Sequence, residues 1–194
     1  MDSYKTLKFV LKPIFKILYR PTIINKEKIP TEKAFIFAGN HKNALDPALV
    51  ALSTKRTVRF LAKKELLEGK TKLFFKAIKA IPVDRKHTSV SAVDTAIKIL
   101  KDNGVISLFP EGTRNKTNKI LLPFKFGAVS MAQKTKSPIV PFAITGDYKL
   151  FRKGIKIEFG EPIDISKMEL QEANEYLMQK VEELIKKNIN GVKQ

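Results

Sequence analysis

A histidine and an aspartate in the segment Gly39-Asn40-His41-Lys42-Asn43-Ala44-Leu45-Asp46-Pro47 are the residues of this chain best suited to chemistry. An imidazole changes charge near neutral pH, and a carboxylate that fixes one ring nitrogen leaves the other free to take a proton from an alcohol. The chain has no cysteine and no G-x-S-x-G elbow, so it offers no evident nucleophile of its own. The simplest chemistry left is activation of a hydroxyl that belongs to a substrate. The pair directly follows the apolar run Ala34–Ala38, which reads as a strand, and sites in α/β proteins gather beyond the carboxyl ends of strands. Asp46 also has a plainer reading as the N-cap of a helix with Pro47 at its first position. The two roles are compatible, since one carboxylate oxygen can cap while the other holds the imidazole.

Three further segments carry groups that could meet a ligand. Phe109-Pro110-Glu111-Gly112-Thr113-Arg114-Asn115 follows a second strand-like run, Val105–Phe109. Gly112 allows a positive φ and a close backbone approach, and Arg114 carries a fork suited to phosphate. A surface turn is the plain alternative, because Pro, Gly, Thr and Asn all favour turns. In Ile81-Pro82-Val83-Asp84-Arg85-Lys86, Arg85 could face the same phosphate, pair with Asp84 or stay solvated; His87 reads as an exposed loop histidine. Lys125, in Phe124-Lys125-Phe126-Gly127, stands near a helix start, where backbone N–H groups also favour anions. Gly69-Lys70-Thr71 imitates the end of a phosphate-binding P-loop, but the required Gly five residues earlier is Lys64.

The elements that must position these groups are legible as a pattern. Residues 3–19 have helical period, with Leu7, Val10, Leu11, Ile14, Phe15 and Leu18 on one face and Lys5, Lys8, Lys12 and Lys16 on another. Pro13 could bend or divide that helix. Strands are expected at residues 34–38, 58–62, 81–83, 105–109, 139–144 and 155–159. Helices are expected at 47–53, 126–133 and 170–188, over a basic stretch from 63 to 80 interrupted at Gly69, and after a capping box Ser91–Asp94. Ile81-Pro82-Val83 suits an edge strand, where Pro is tolerated. Strands alternating with helices predict a single-domain α/β fold with a mixed, mostly parallel central sheet flanked by helices. Residues 1–20 read as an N-terminal amphipathic helical segment that associates with membrane, and 21–194 as the main domain.

Composition narrows the partners. With 194 residues the chain can bury a core without staples, and zero cysteine removes disulfides and thiolate metal sites. Two histidines are too few for a His-rich metal cluster. The formal net charge of +18 points to a polyanion, whether nucleic acid, an anionic membrane or phosphorylated substrates, unless it is only a solvated Lys-rich surface. No apolar run reaches the ~20 residues that a spanning helix needs. The basic helix at residues 3–19 can pack on the domain or lie in the headgroup layer of an anionic bilayer, with Lys5, Lys8, Phe9, Leu11, Lys12, Phe15 and Lys16 as its contacts. The expected location is the cytoplasmic face of the cell membrane, held peripherally or monotopically.

Taken in order, four motifs resemble the glycerolipid acyltransferase family of the PlsC type, in particular its bacterial 1-acylglycerol-3-phosphate acyltransferases. Asn40-His41 to Asp46-Pro47 is similar to the family's H-x4-D block, Val83-Asp84-Arg85 to its second block, Phe109–Arg114 to its third and Ile139-Val140-Pro141 to its fourth. The resemblance spans about residues 30–146. It implies transfer of an acyl group from a thioester of coenzyme A or acyl carrier protein to the free sn-2 hydroxyl of a lysophospholipid, giving phosphatidic acid. His41 would be the general base and Asp46 its support. Arg85, Glu111, Gly112, Thr113 and Arg114 would form the phosphate-binding set, with Asn40 and Lys125 as possible additions. No metal or other cofactor is implied, the acyl thioester being a co-substrate, and no nucleic acid is expected. The sequence departs from the pattern at Lys79, where Gly is usual, at Pro82, where Phe is common, and at Asn43, where Ser is frequent. Another lysophospholipid or glycerol phosphate acceptor is the nearest alternative; a basic nucleic-acid-binding domain is a more distant one.

Overall fold

The computed structural model describes residues 3–68, 72–83 and 90–191. Apolar runs without polar alternation set the middle of its sheet. Strand β2 (Phe35–Gly39) is buried at every position, and β6 (Ile139–Gly146) at every position but the last. Strands covered on both faces must be apolar in this way. With β1 (Thr22–Ile24), β3 (Val58–Lys63), β4 (Ile81–Val83), β5 (Val105–Leu108) and β7 (Ile155–Phe159) they form one sheet in the order β1-β7-β6-β2-β5-β3-β4. Only β6 and β7 run antiparallel; the other neighbours are parallel. The sheet is therefore mixed and mostly parallel, as the sequence predicts.

Successive side chains on a strand point to opposite faces, and β2 supplies both cores. Ile36 and Ala38 meet Ala96 and Leu100 of α4 (Val90–Lys101), Val129 and Ala132 of α5 (Gly127–Thr135), and Leu177 and Val181 of α6 (Leu170–Asn190). Phe35 and Phe37 enter a second core with Phe142 and Phe159, closed by Leu49 and Val50 of α2 (Asp46–Ser53) and Phe15 of α1 (Ser3–Tyr19). The first core is mainly aliphatic, and the second is the one rich in aromatic rings.

The differences from expectation are local. Strand β1 is additional to those the pattern predicts: three residues after a proline are too few to show a period. The basic stretch from 63 to 80 separates into a 3-10 turn, Lys64–Leu67, and a short helix α3 (Lys72–Ala77); Gly69-Lys70-Thr71 lies outside the described residues. Helix α4 is already running at Val90, so Ser91 stands inside it and is not its cap. Pro13 does not divide α1, which is continuous over 17 residues; Pro13 is exposed, where water can take the carbonyl it leaves unpaired. Strand β4, with Pro82, is an edge strand as predicted.

The orientation of α1 needs a larger correction. Of the residues read as lipid contacts, Lys5, Phe9, Lys12 and Lys16 are exposed and Leu11 is half-buried. Phe15 is buried in the aromatic core. Lys8 turns towards the domain, where its Nζ donates to the Arg56 carbonyl at 2.8 Å. Burial, with Lys12 and Lys26 nearby, pulls the Lys8 pKa from its ordinary 10.5 to about 8. The apolar arc of this helix is wider than the side that meets the domain, so periodicity alone could not say which part of it is buried. Val10, Ile14 and Ile17 are among the exposed ones. Among the described residues, no helix is long and apolar enough to cross a membrane.

Candidate active site

Strand pairing brings the two leading motifs together. Ala38 of β2 lies opposite Leu108 of β5, so the loops that begin at Asn40 and Phe109 leave the sheet side by side. On the other flank Gly39 lies opposite Phe142 of β6, and β6 ends at Gly146 on the same edge. Gly39 cannot be larger, because a Cβ there would strike the Phe142 carbonyl and ring. Three loops thus meet at the centre of the carboxyl edge of the sheet.

Cross-links lock them. Asn40 is buried and grips one residue of β6 by both ends of its amide, donating to the Ile144 carbonyl at 2.8 Å and accepting from the Ile144 N–H at 2.7 Å. Glu111 spends both carboxylate oxygens on backbone: Oε1 accepts from the His41 N–H at 2.8 Å and Oε2 from the Leu122 N–H at 2.9 Å. The His41 carbonyl in turn accepts from the Asn115 N–H at 2.7 Å. Both backbone polar groups of His41 are therefore held by the loop after β5. Lys42 Nζ adds a link to the Gly146 carbonyl at 3.0 Å.

Asp46 is fully buried and collects four donors. Its Oδ2 accepts from the Lys42 and Asn43 N–H groups, both at 2.7 Å, and from His41 Nδ1 at 2.9 Å. Its Oδ1 accepts from the Tyr148 hydroxyl at 2.8 Å. Asp46 is the first residue of α2, and the N-cap position belongs to Leu45. One oxygen thus serves both the loop backbone and the imidazole, and the helix-capping role does not hold. A carboxylate only accepts, so the His41 proton sits on Nδ1 and Nε2 offers its lone pair. The His41 side chain is 17% exposed. Its ring stacks on Phe109, centroids 4.1 Å apart, which fixes the plane in which Nε2 can reach a hydroxyl.

Other residues fall into place around this pair. Gly112 adopts φ +70, and a Cβ there would press on the end of the Lys125 side chain, Nζ included; the two phosphate candidates are therefore neighbours. Thr113 and Arg114 are exposed, in the turn that reaches the His41 carbonyl one residue later. Glu111 is buried, and burial raises its pKa against the two N–H bonds that lower it; both oxygens are engaged within the protein. Arg85, Asp84 and His87 lie outside the described residues. The sequence reading missed Tyr148, for which the available signal was its place just beyond β6. Burial, together with the neighbouring Asp46 carboxylate, holds its phenol in the protonated form well above the ordinary range.

An imidazole aimed by a buried carboxylate, on central loops of an α/β sheet, is an arrangement with the parts that general-base catalysis needs. The chain belongs to the Acyltransferase family, whose pattern matches residues 20–145, and it is an acyltransferase. It is 34% identical to a 1-acyl-sn-glycerol-3-phosphate acyltransferase of Bacillus subtilis, over 93% of this chain and 96% of that one. It is also 34% identical to the enzyme so named in Streptococcus pneumoniae, over 73% of this chain but 55% of that longer one. The crystal structure of the 1-acyl-sn-glycerophosphate acyltransferase PlsC from Thermotoga maritima matches 91% of this chain and 78% of its own, with a TM-score of 0.72 and 26% identity.

Proposed function

We propose that the protein transfers an acyl group from the thioester of coenzyme A or acyl carrier protein to the sn-2 hydroxyl of 1-acylglycerol-3-phosphate, giving phosphatidic acid. The acceptor is drawn from the relatives' names. The observation that carries the chemistry is the 2.9 Å contact between His41 Nδ1 and Asp46 Oδ2 beneath an accessible ring. Nε2 of His41 takes the hydroxyl proton as the oxygen attacks the thioester carbonyl. The tetrahedral intermediate collapses with loss of the C–S bond, and the leaving sulfur takes the proton back. The substrate hydroxyl stands where a serine would stand in a hydrolase triad. Asp46 balances the charge on the imidazolium that forms between these steps.

Arg114, the Gly112 turn, Lys125 and Arg85 are the groups assigned to the acceptor phosphate. Holding that phosphate fixes the hydroxyl against Nε2, and such positioning can supply several kcal/mol of barrier lowering, up to about 7–11. Glu111 acts behind them as the tie that sets the His41 backbone. The exposed basic side of α1 supports a peripheral seat on the cytoplasmic face of an anionic membrane, each nearby Lys or Arg adding about 1 kcal/mol.

The test is acyl transfer by the purified wild type and His41→Ala, with both thioester donors and 1-acylglycerol-3-phosphate in anionic micelles. Phosphatidic acid from the wild type and a rate lower by about 10²–10⁴ for His41→Ala is the expected result. A His41→Ala protein that keeps its rate sinks the mechanism. Arg114→Ala should raise KM for the phosphorylated acceptor; a change confined to donor kinetics would move that arginine to the donor site.

A further inference from the structure

The segment that leaves β6 has an inner and an outer side. On the inner side, Tyr148 donates its hydroxyl to Asp46 and sets its ring edge-on to Phe15 and Tyr19 of α1, at 6.2 and 5.5 Å. On the outer side, Leu150 and Phe151 are 58% and 57% exposed. The Phe151 N–H donates to the Leu18 carbonyl near the end of α1, so the turn and the helix are joined. Helix α1 itself leaves Phe9 83% and Ile17 62% exposed, with Val10 and Ile14 about half exposed. A single exposed apolar side chain needs no explanation, but six on two hydrogen-bonded segments do.

Their setting identifies the partner. Lys12, Lys16 and Arg20 accompany the helix residues, and Lys149, Arg152 and Lys153 accompany Leu150 and Phe151; Asp147 is the one acid of the turn. Large apolar side chains set among cations are what the headgroup layer of an anionic bilayer accepts. A second copy of this chain would bring the same positive charge and be repelled. We propose that the turn Asp147–Lys153 is a second contact with an anionic bilayer, beside α1, and that this same segment positions Asp46 through Tyr148. The lipid contact rests on the reading of a bilayer-borne acceptor.

Vesicle flotation tests the outer side without any turnover. Wild type and a Leu150→Ser/Phe151→Ser protein are compared on phosphatidylcholine vesicles with and without phosphatidylglycerol, with circular dichroism to establish folding. Binding of wild type to the anionic vesicles, reduced about tenfold or more in the double variant, is expected from the loss of two large apolar contacts. Equal binding overturns the lipid contact. So does a double variant whose defect is loss of a dimer in sedimentation.

Tyr148→Phe tests the inner side, because it keeps the ring packing and removes one donor from a buried carboxylate. The expected outcome is a kcat lower by roughly tenfold with KM and vesicle binding unchanged. The downfield His41 Nδ1–H resonance should also move in Tyr148→Phe and stay in place in the double variant; with two histidines in the chain it is readily assigned. An unmoved resonance overturns the positioning role. Flotation and resonance are both read on resting protein, so their failure is separable from a failure of acyl transfer itself.

Discussion

The H-x4-D loop and the segment that leads to the second block each adjoin a strand of the same sheet and are built in opposite ways. The first stands over β2, with β5 and β6 on either side. Its histidine is held through both backbone groups and one ring nitrogen, and its aspartate by four donors. The second, α3 followed by β4, lies at the sheet edge, where β4 pairs with β3. The turn that ends α3 has a local frame: it closes with the Lys79 N–H on the Lys76 carbonyl and the Ala80 N–H on the Phe75 carbonyl, both at 3.0 Å. At the centre, the hydrogen bonds that set the geometry come from distant parts of the chain; in the α3 turn these two come from neighbours in sequence. Substitutions should therefore act on rate at the first and on backbone energy at the second.

The sharpest separation is expected from Asp46→Asn. The amide can turn its oxygen to the three N–H donors and its NH2 group to the Tyr148 oxygen, so all four contacts remain, the last with its direction reversed. The charge facing the imidazolium is the main loss. The rate should fall by about 10²–10⁴ while the urea midpoint changes little. An equal loss of stability and activity would mean that Asp46 serves the loop more than the chemistry.

Glu111→Gln should have an intermediate effect. Two backbone N–H groups face the carboxylate, and an amide can accept from one of them while opposing the other. The unpaired donor should cost about 1–3 kcal/mol, and a loosened His41 loop should lower kcat roughly tenfold, one factor of ten being about 1.4 kcal/mol. The pH dependence has a definite sign. Burial raises this carboxyl above its ordinary 4.5, so just above that pH the folded protein binds more protons than the unfolded chain. Stability then falls as pH rises through the window between the ordinary and the raised value, and the E111Q protein lacks that slope.

This contrast also explains which features the sequence disclosed. Apolar runs and their ends are local, so β2, β5, β7 and α6 could be read directly, as could the placement of His41, Asp46 and Arg114 after strands. The ordered motifs then made the family recognisable. Partners that arrive from far along the chain left no such trace. Glu111 reaches His41 across 70 residues and Tyr148 reaches Asp46 across 102. Neither contact follows from any period or turn signal. The same applies to β1, whose pairing with β7 joins residues 22–24 to 156–158. Helix α1 declares its period in the sequence but not its rotation, since which part of its apolar arc is buried depends on the sheet beneath it.

The edge offers the mildest test, and there the sequence did leave a signal. Gly is usual in the related family where this chain has Lys79, and Lys79 adopts φ +54. The two hydrogen bonds of the α3 turn are those of a Schellman cap, with Lys79 at the C′ position, the one that favours a left-handed residue and hence glycine. A side chain there costs about 1–2 kcal/mol against the opposing cost of glycine's freedom in the unfolded chain, about 0.5–1 kcal/mol. Lys79→Gly should therefore raise stability by roughly 0.5–1 kcal/mol in urea unfolding, with kcat unchanged. A fall in stability would show that the Lys79 side chain holds the edge through contacts outweighing its backbone strain. A fall in kcat would instead show that the edge block reaches the His41–Asp46 pair, and the division between centre and edge would have to be redrawn.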